Sequence, residues 1–340
     1  MAFNNRVDTL TLNYLIPNVV DTVLRSNIFA TAMLSKTKKF RSATMDFPLK
    51  YAKGTAGQSF SGYDTLPTTA SDNRVLMVYT PRFYATNVSL PGTDIAANNT
   101  IQKVMDLAEV EMRSRAQDMA DSIGTLLYGD GTGNSNKDFL GLAAIADDGN
   151  AVATIGGLSR ATYTTLQSYV TTSAQLTLAK LRTMHNAIAD ASVIPTSIYT
   201  TYEVYALYEA LLQPTERIMK DVVIAENFKG YTGFKALEFA GLPFLADRKC
   251  TAGYLFMLNE DFLDFYALPT AIPQFGGEPA KIASKLFKGN AYNEVDSLGF
   301  AWTGWIKSVN QFAFNSFITL GGQLITDNPR RHGKWSGITS

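Results

Sequence analysis

Cysteine occurs once, at Cys250, and histidine twice, at His185 and His332. A single thiol excludes any disulfide within the chain, which fits a reducing compartment. No zinc-type ligand spacing can be drawn from these three residues either. Neither sign of charge is in excess, since 30 Lys and Arg stand against 30 Asp and Glu. Proteins that grip nucleic acid by displacing counterions usually carry a basic surplus or stripe, so the balance argues against such a grip. It also removes long-range repulsion between copies. Long apolar runs are missing: Leu140–Ala146 and Tyr254–Leu258 fall far short of the ~20 residues that span a bilayer. Met1–Pro17 carries Arg6 and Asp8 and has no continuous apolar stretch, so no signal peptide is expected and the chain reads as soluble and made inside the cell. A Gly-x-Ser-x-Gly elbow is absent, which leaves a hydrolase triad without an anchor. There is no fixed-period repeat and no low-complexity linker.

What is present is a globular composition, 46% hydrophobic and 18% charged over 340 residues, long enough for two lobes or one domain with extensions. Val19, Val20, Val23 and Leu24 predict a short helix over Asn18–Leu34, within an arm too small for its own core. Thr44–Tyr51 and Arg74–Asn87 alternate apolar and polar residues and predict two strands of a long ribbon, reaching ~30 Å. Between them Lys53–Ser71 is rich in Gly, Ser, Thr and Pro, as a turn-rich tip should be. Such a ribbon is marginal alone, so it is expected to lie on another surface and to act as a clasp in an assembly. Residues 94–128 carry the strongest pattern. Ile101, Val104, Met105, Ala108, Met112, Ala116, Met119, Ile123 and Leu127 recur at three- and four-residue steps. Asp94 is the expected cap and Gly129 the terminator. The opposite face holds Lys103, Glu109, Glu111, Arg113, Arg115, Asp118 and Asp121. Helices are further predicted over 177–192, with Leu178, Leu181, Met184, Ile188 and Ala191 on one side, and over Thr201–Gln213. Residues 129–160 read as Gly-rich loop, and 240–268 and Gly299–Thr319 as strands. The order gives an α+β fold.

Residues able to carry chemistry are few. His185 sits on a predicted helix and reads as a surface or satisfied histidine. Asp130, Thr132, Asn134, Asn136 and Asp138 alternate faintly as in a calcium loop, but Gly141 stands where the bidentate Glu belongs. Gly129–Gly133 follows a helix and not a strand, so it reads as a helix-ending turn and not a phosphate cradle. Glu260, Asp261 and Asp264 suggest acid–base work less than a solvated turn. Pro329–Lys334, with Trp335, is basic and reads as a solvated tail, or as a contact to DNA or a neighbour. No catalytic, cofactor-binding or metal residue is assigned, no cofactor is expected, and the chain is not expected to be an enzyme.

Three local patterns, in this order along the chain, resemble the major capsid protein family of tailed double-stranded-DNA phages. The first is the long helix followed by Tyr128–Gly133, Phe139–Leu142 and Gly156-Gly157-Leu158-Ser159-Arg160. The second is Phe239–Phe244 leading through Asp247 to Gly253–Asn259. The third is the aromatic region Trp302–Phe317. The resemblance implies an N-terminal arm at 1–40, an extended β-hairpin loop at 41–90, and a peripheral domain with a long spine helix at 91–175. It further implies an axial domain at 176–265 and a return to the peripheral domain with a C-terminal tail at 266–340. It implies hexamers and pentamers of the chain in an icosahedral shell that contains double-stranded DNA without sequence-specific contact. The partners implied are a portal protein and a decoration protein, and no membrane. Many relatives carry a long N-terminal scaffolding segment. Here the arm begins almost at Met1, so either a separate scaffolding protein serves or the sequence is already mature. Virion capsid, assembled in host cytoplasm, is the implied location. Some relatives cross-link a loop Lys to an Asn; Lys50 and Lys53 lie near that loop but read as solvated. The rivals are an encapsulin-like shell that packs protein, a soluble α+β enzyme or binding protein, and another virion component.

Overall fold

The computed structural model describes residues 27–40, 42–54, 57, 59–66, 72–97, 101–173, 175–190, 193–212, 237–268, 300–302, 305–308 and 310–339. Helix α1 (Ile28–Ser35) buries Phe29, Ala30, Ala32, Met33 and Leu34, so it is covered on nearly all sides. The expected helix began at Asn18; residues 18–26 lie outside the described residues. Strand β1 (Lys38–Lys39) pairs in parallel with a strand far down the chain, Leu263–Ala267.

Strands β2 (Met45–Lys50) and β3 (Arg74–Tyr79) form the ribbon, in register from Met45 opposite Tyr79 to Lys50 opposite Arg74. The expected second strand ran unbroken to Asn87. It stops instead at Thr80-Pro81, because proline has no N–H for the ladder. The paired ribbon is therefore about 20 Å long and not ~30 Å. Its inner face is covered within one chain, since Met45, Leu49, Met77 and Tyr79 are buried. The expectation that this ribbon finds cover only in an assembly is thus corrected for that face.

After Pro81 the chain enters another sheet as β4 (Arg82–Pro91). Next come α2 (Gly92–Ala97) and α3 (Ile101–Tyr128), the latter 28 residues and about 42 Å long. Asp94 lies in the first turn of α2 and does not cap α3. Val104, Ala108, Met112, Ala116, Met119, Ile123 and Leu127 are all buried, as their spacing requires. The side chains of Ile101 and Met105 lie outside the description. The chain then makes a short helix α4 (Leu142–Ile145) and a hairpin, β5 (Thr154–Ile155) and β6 (Leu158–Ser159). Gly156 and Gly157 turn it at φ +55° and +74°, values that suit glycine. This hairpin supports the ribbon, with Val78 N–H donating to Gly156 O at 2.9 Å.

The remaining elements are β7 (Tyr169–Thr172), α5 (Leu178–Ile188), β8 (Ser197–Thr200), α6 (Tyr202–Leu212), β9 (Leu237–Phe239), β10 (Leu242–Ala246), β11 (Leu255–Leu258), β12 (Leu263–Ala267), β13 (Phe300–Trp302), β14 (Ile306–Lys307), β15 (Ala313–Thr326) and β16 (Gly333–Ser336). On α5, Leu181, Met184 and Ile188 are buried as expected, whereas Leu178 is exposed and Ala191 lies outside the described residues.

Among the described residues the two larger sheets are each six-stranded. In the peripheral sheet β15 is the axis: β4 runs along it from Ala313 opposite Pro91 to Gly322 opposite Arg82, and β12, β13 and β14 also pair with it. The central sheet has the order β7-β16-β11-β8-β10-β9. It is covered on both faces, which is why its strands read as unbroken apolar runs. Ile198, Phe244, Leu255, Met257 and Trp335 pack with residues of α5 and α6. Tyr199, Leu245, Phe256 and Leu258 join α1 and α3 in the larger core, with the Tyr199 ring 5.1 Å from Phe29.

Candidate functional site

A few buried polar groups fix the loops between the two sheets. Asp147 Oδ2 accepts N–H bonds from Gly149 (2.9 Å), Ala151 (3.2 Å) and Val152 (2.9 Å), and its Oδ1 accepts from Lys334 Nζ at 2.6 Å. Burial pushes this carboxyl upward, but Lys334 and the N–H groups outweigh it and hold it below the usual range. The fully buried Arg160 guanidinium donates to Asp147 O, to Ala144 O at 2.6 Å and to Ile145 O at 3.2 Å, which satisfies the carbonyl end of α4. Asp247 accepts from Phe29 N (3.2 Å) and Tyr128 Oη (3.0 Å), joining α1, α3 and the central sheet. Asn259 donates to Ile194 O at 2.9 Å and accepts from Asp261 N at 3.1 Å. Arg160, Asp247 and Asn259 lie in the patterns that resemble the phage family. All are enclosed, and their geometry anchors chain segments.

The sequence candidates for chemistry are dispersed. Asp130 accepts from Thr132 N (3.0 Å) and Thr132 Oγ1 (2.8 Å), and these bonds lower its carboxyl. Asn134, Ser135 and Asn136 take φ values of 48°, 59° and 63°, so the alternating oxygens form a left-handed turn. Among the described residues no three His, Cys, Asp or Glu converge as a metal site would need. Gly129 N donates to Leu126 O at 3.0 Å and ends α3, as a terminating turn does. His185 is partly exposed, with its ring 6.5 Å from Phe239. Burial pushes the Cys250 thiol upward, away from thiolate reactivity.

Two expectations are overturned. Glu260 is not in a solvated turn: it accepts from Ser197 Oγ (2.8 Å), Tyr199 Oη (2.9 Å) and Lys36 Nζ (2.9 Å). Burial raises this carboxyl, and those donors, Lys36 foremost, bring it below its ordinary value. Asp264 likewise holds Lys38 Nζ at 2.5 Å, while Asp261 is exposed. The acids tie 36–38 to the sheets. The basic C-terminal stretch is no solvated tail either. Strand β16 lies between β7 and β11, burying Lys334 and Trp335, with His332 buried just before it. The ion pair with Asp147 makes the buried lysine tolerable. Arg331 pairs with Asp190 at 2.9 Å, and Arg330 is exposed.

What the fold leaves on the surface includes exposed apolar side chains. At the far end of the ribbon, Phe60 (64% exposed), Tyr63 and Leu66 surround a turn in which Asp64 N donates to Ser61 O. Leu76 and Val78 are exposed on the ribbon's outer face. On the peripheral sheet, Phe83 lies opposite Gly321, Phe317 opposite Asn87 and Ile306 opposite Asn315. These registers put the three exposed side chains on one face, turned away from the core. Sequence reasoning anticipated the ribbon tip from its composition. It missed the sheet face, whose visible signal was only the odd-numbered alternation at 83, 85, 315, 317 and 319.

No family model and no curated protein matches the chain. Solved structures do. The capsid asymmetric unit of cyanophage A-1(L) superposes with a TM-score of 0.65 at 15% identity, covering 96% of this chain and 94% of that one. The capsid of a native GTA particle gives 0.57 at 9% identity, with 91% of each chain covered. The holo-SrpI encapsulin complex of Synechococcus elongatus PCC 7942 gives 0.52 at 10% identity, covering 89% and 84%. The chain thus has the α+β fold of tailed-phage capsid proteins, a fold of shell-forming proteins.

Proposed function

We propose that this chain, having the tailed-phage capsid fold, is the major capsid protein of a tailed double-stranded-DNA phage, acting structurally and not as an enzyme. Copies assemble as hexamers and pentamers into an icosahedral shell, with the ribbon tip of one copy lying on its neighbour. The observation that carries the reading is the exposed Phe60, Tyr63 and Leu66 on a projection with no core of its own, within a fold shared from end to end with capsid subunits. Obligate interfaces commonly bury ~2,000–5,000 Å² per pair, and symmetry repeats that gain around a shell. We assign residues 1–40 to the arm, 41–81 to the extended loop, 176–265 to the axial domain, and the remainder to the peripheral domain and tail. The 81 boundary follows the strand break at Pro81. The shell is part of the virion and forms in the host cytoplasm, with a scaffolding protein, a portal and a decoration protein as partners. DNA is contained without tight binding, in keeping with zero net charge.

A second reading, an encapsulin-like shell around protein cargo, is favoured by the likeness to the SrpI complex. Negative-stain electron microscopy of the chain expressed with its neighbouring genes tests both. Closed particles holding nuclease-protected DNA support the phage reading, and closed particles holding protein support the second. A uniform monomer or small oligomer sinks both.

A further inference from the structure

We propose that residues 131–138 form a strained latch at the root of the ribbon, a left-handed turn that Arg82 holds shut and that relaxes when Arg82 is drawn away. The backbone carries the first half of the case. Asn134, Ser135 and Asn136 stand at φ 48°, 59° and 63°, with Gly131 before them at 77°. A single asparagine enters the left-handed region readily. Three consecutive residues with side chains make a turn of left-handed helix, which L-residues resist. Such a run persists only where its surroundings over-determine it. All three side chains are exposed, so burial in a core does not supply the hold. The turn's own backbone bonds are long: Asn136 N donates to Thr132 O at 3.1 Å, and Lys137 N and Asp138 N donate to Gly133 O at 3.2 Å and 3.4 Å.

The hold comes from another element. Arg82 Nη1 donates to Gly131 O at 2.7 Å and also to Asp138 O, so one guanidinium nitrogen staples the two ends of the loop. Glycines make the close fit possible. A Cβ on Gly131 would lie 3.0 Å from Arg82 Nη1, and one on Gly133 would run into the Asp138 carboxylate. The loop's feet stand together at the end of α3, where a Cβ on Gly141 would run into Gly129 O and Leu126 O. A surface loop with such a closed neck is an Ω-loop. Arg82 opens β4 and directly follows Pro81, where the ribbon stops. Its side chain therefore starts at the joint between ribbon and peripheral sheet and ends on the loop beyond α3. Displacement of that joint withdraws the staple, and a turn that is costly on its own then opens. Residues 134–137 are exposed, so the change at the ribbon root is displayed on the surface. An arginine that merely stabilises would hold a turn with no other preference. Here the left-handed run gives the turn a second, relaxed state.

The test is amide hydrogen exchange by mass spectrometry on the full chain, read in peptides covering 132–139 and, as a control, along α3. Arg82→Gln should speed exchange at 136–138 by about tenfold or more and leave α3 and the circular dichroism unchanged. Ser135→Gly with Asn136→Gly removes the resistance to left-handed backbone. In that background Arg82→Gln should change exchange at 136–138 by less than about threefold. Pro81→Gly frees the joint while keeping Arg82, and it should also speed exchange at 136–138 severalfold. It serves in place of Arg82→Gln where that variant does not fold. Unchanged exchange in Arg82→Gln overturns the latch. An equal tenfold rise in the glycine background overturns the stored strain and leaves Arg82 an ordinary structural bond. Unchanged exchange in Pro81→Gly overturns the link to the ribbon.

Discussion

At the scale of single residues, the buried ionisable groups make stability depend on pH. His332 is fully buried, with Nε2 3.0 Å from Thr326 Oγ1, and burial pushes its pKa down to about 3. A histidine held neutral in the fold takes up its proton more readily when unfolded. Its contribution is therefore complete above about pH 6.5 and declines as pH falls toward about 3. Between pH 7 and pH 4.5 the loss from this one group is about 2–3 kcal/mol. Urea titrations at the two pH values should show that much less acid destabilisation in His332→Gln. Asp147 adds a second acid-sensitive term: its depressed carboxyl stabilises the fold above about pH 4, and that term fades as pH falls through the lowered value. Lys334→Met strands the Asp147 carboxylate and should cost about 3–5 kcal/mol in the same titration. Conversely, Ala240 sits at φ 54° in the turn between β9 and β10. Ala240→Asn creates the Asn-Gly pair that such turns prefer and should raise stability by about 0.5–1 kcal/mol, read as a higher Tm.

Among the elements, the long helix was legible and the C-terminal strand was not, for one physical reason. The apolar stripe of α3 is a local pattern, and its periodicity alone says which face is buried. Met112→Ala on that stripe should cost about 2–5 kcal/mol by chemical denaturation. The basic run at 330–334 misleads because its neutralising partners are distant in sequence: Asp147 for Lys334 and Asp190 for Arg331. Glu260 misleads likewise, since its donors come from 36, 197 and 199. The overlong ribbon has a local cause that the sequence did display, Pro81. Arg160, Asp247 and Asn259 were visible as members of a pattern, but their role as anchors appears only once the chain is folded. Deleting residues 54–69 removes the ribbon's far end and leaves the buried inner face of β2 and β3 in place. That variant should keep a Tm close to wild type yet form no closed particles in the microscope.

For the whole molecule, the two cores share a single sheet, which makes the halves interdependent. Burial on both faces of β8 and β11 means that loosening α5 or α6 on one side exposes the back of the strands that hold α1 and α3 on the other. The placement of β16 carries this further. Among the described residues strand β7 pairs in the sheet only with β16, so this pairing waits until everything between Thr172 and Gly333 has been synthesised. At ordinary translation speeds that interval is on the order of ten seconds or more. A half-made chain on the ribosome therefore lacks a finished sheet, and neighbouring nascent chains on one messenger have no completed surface with which to join too early. If copies assemble into a shell as proposed, the same late strand sets a delay between translation and assembly.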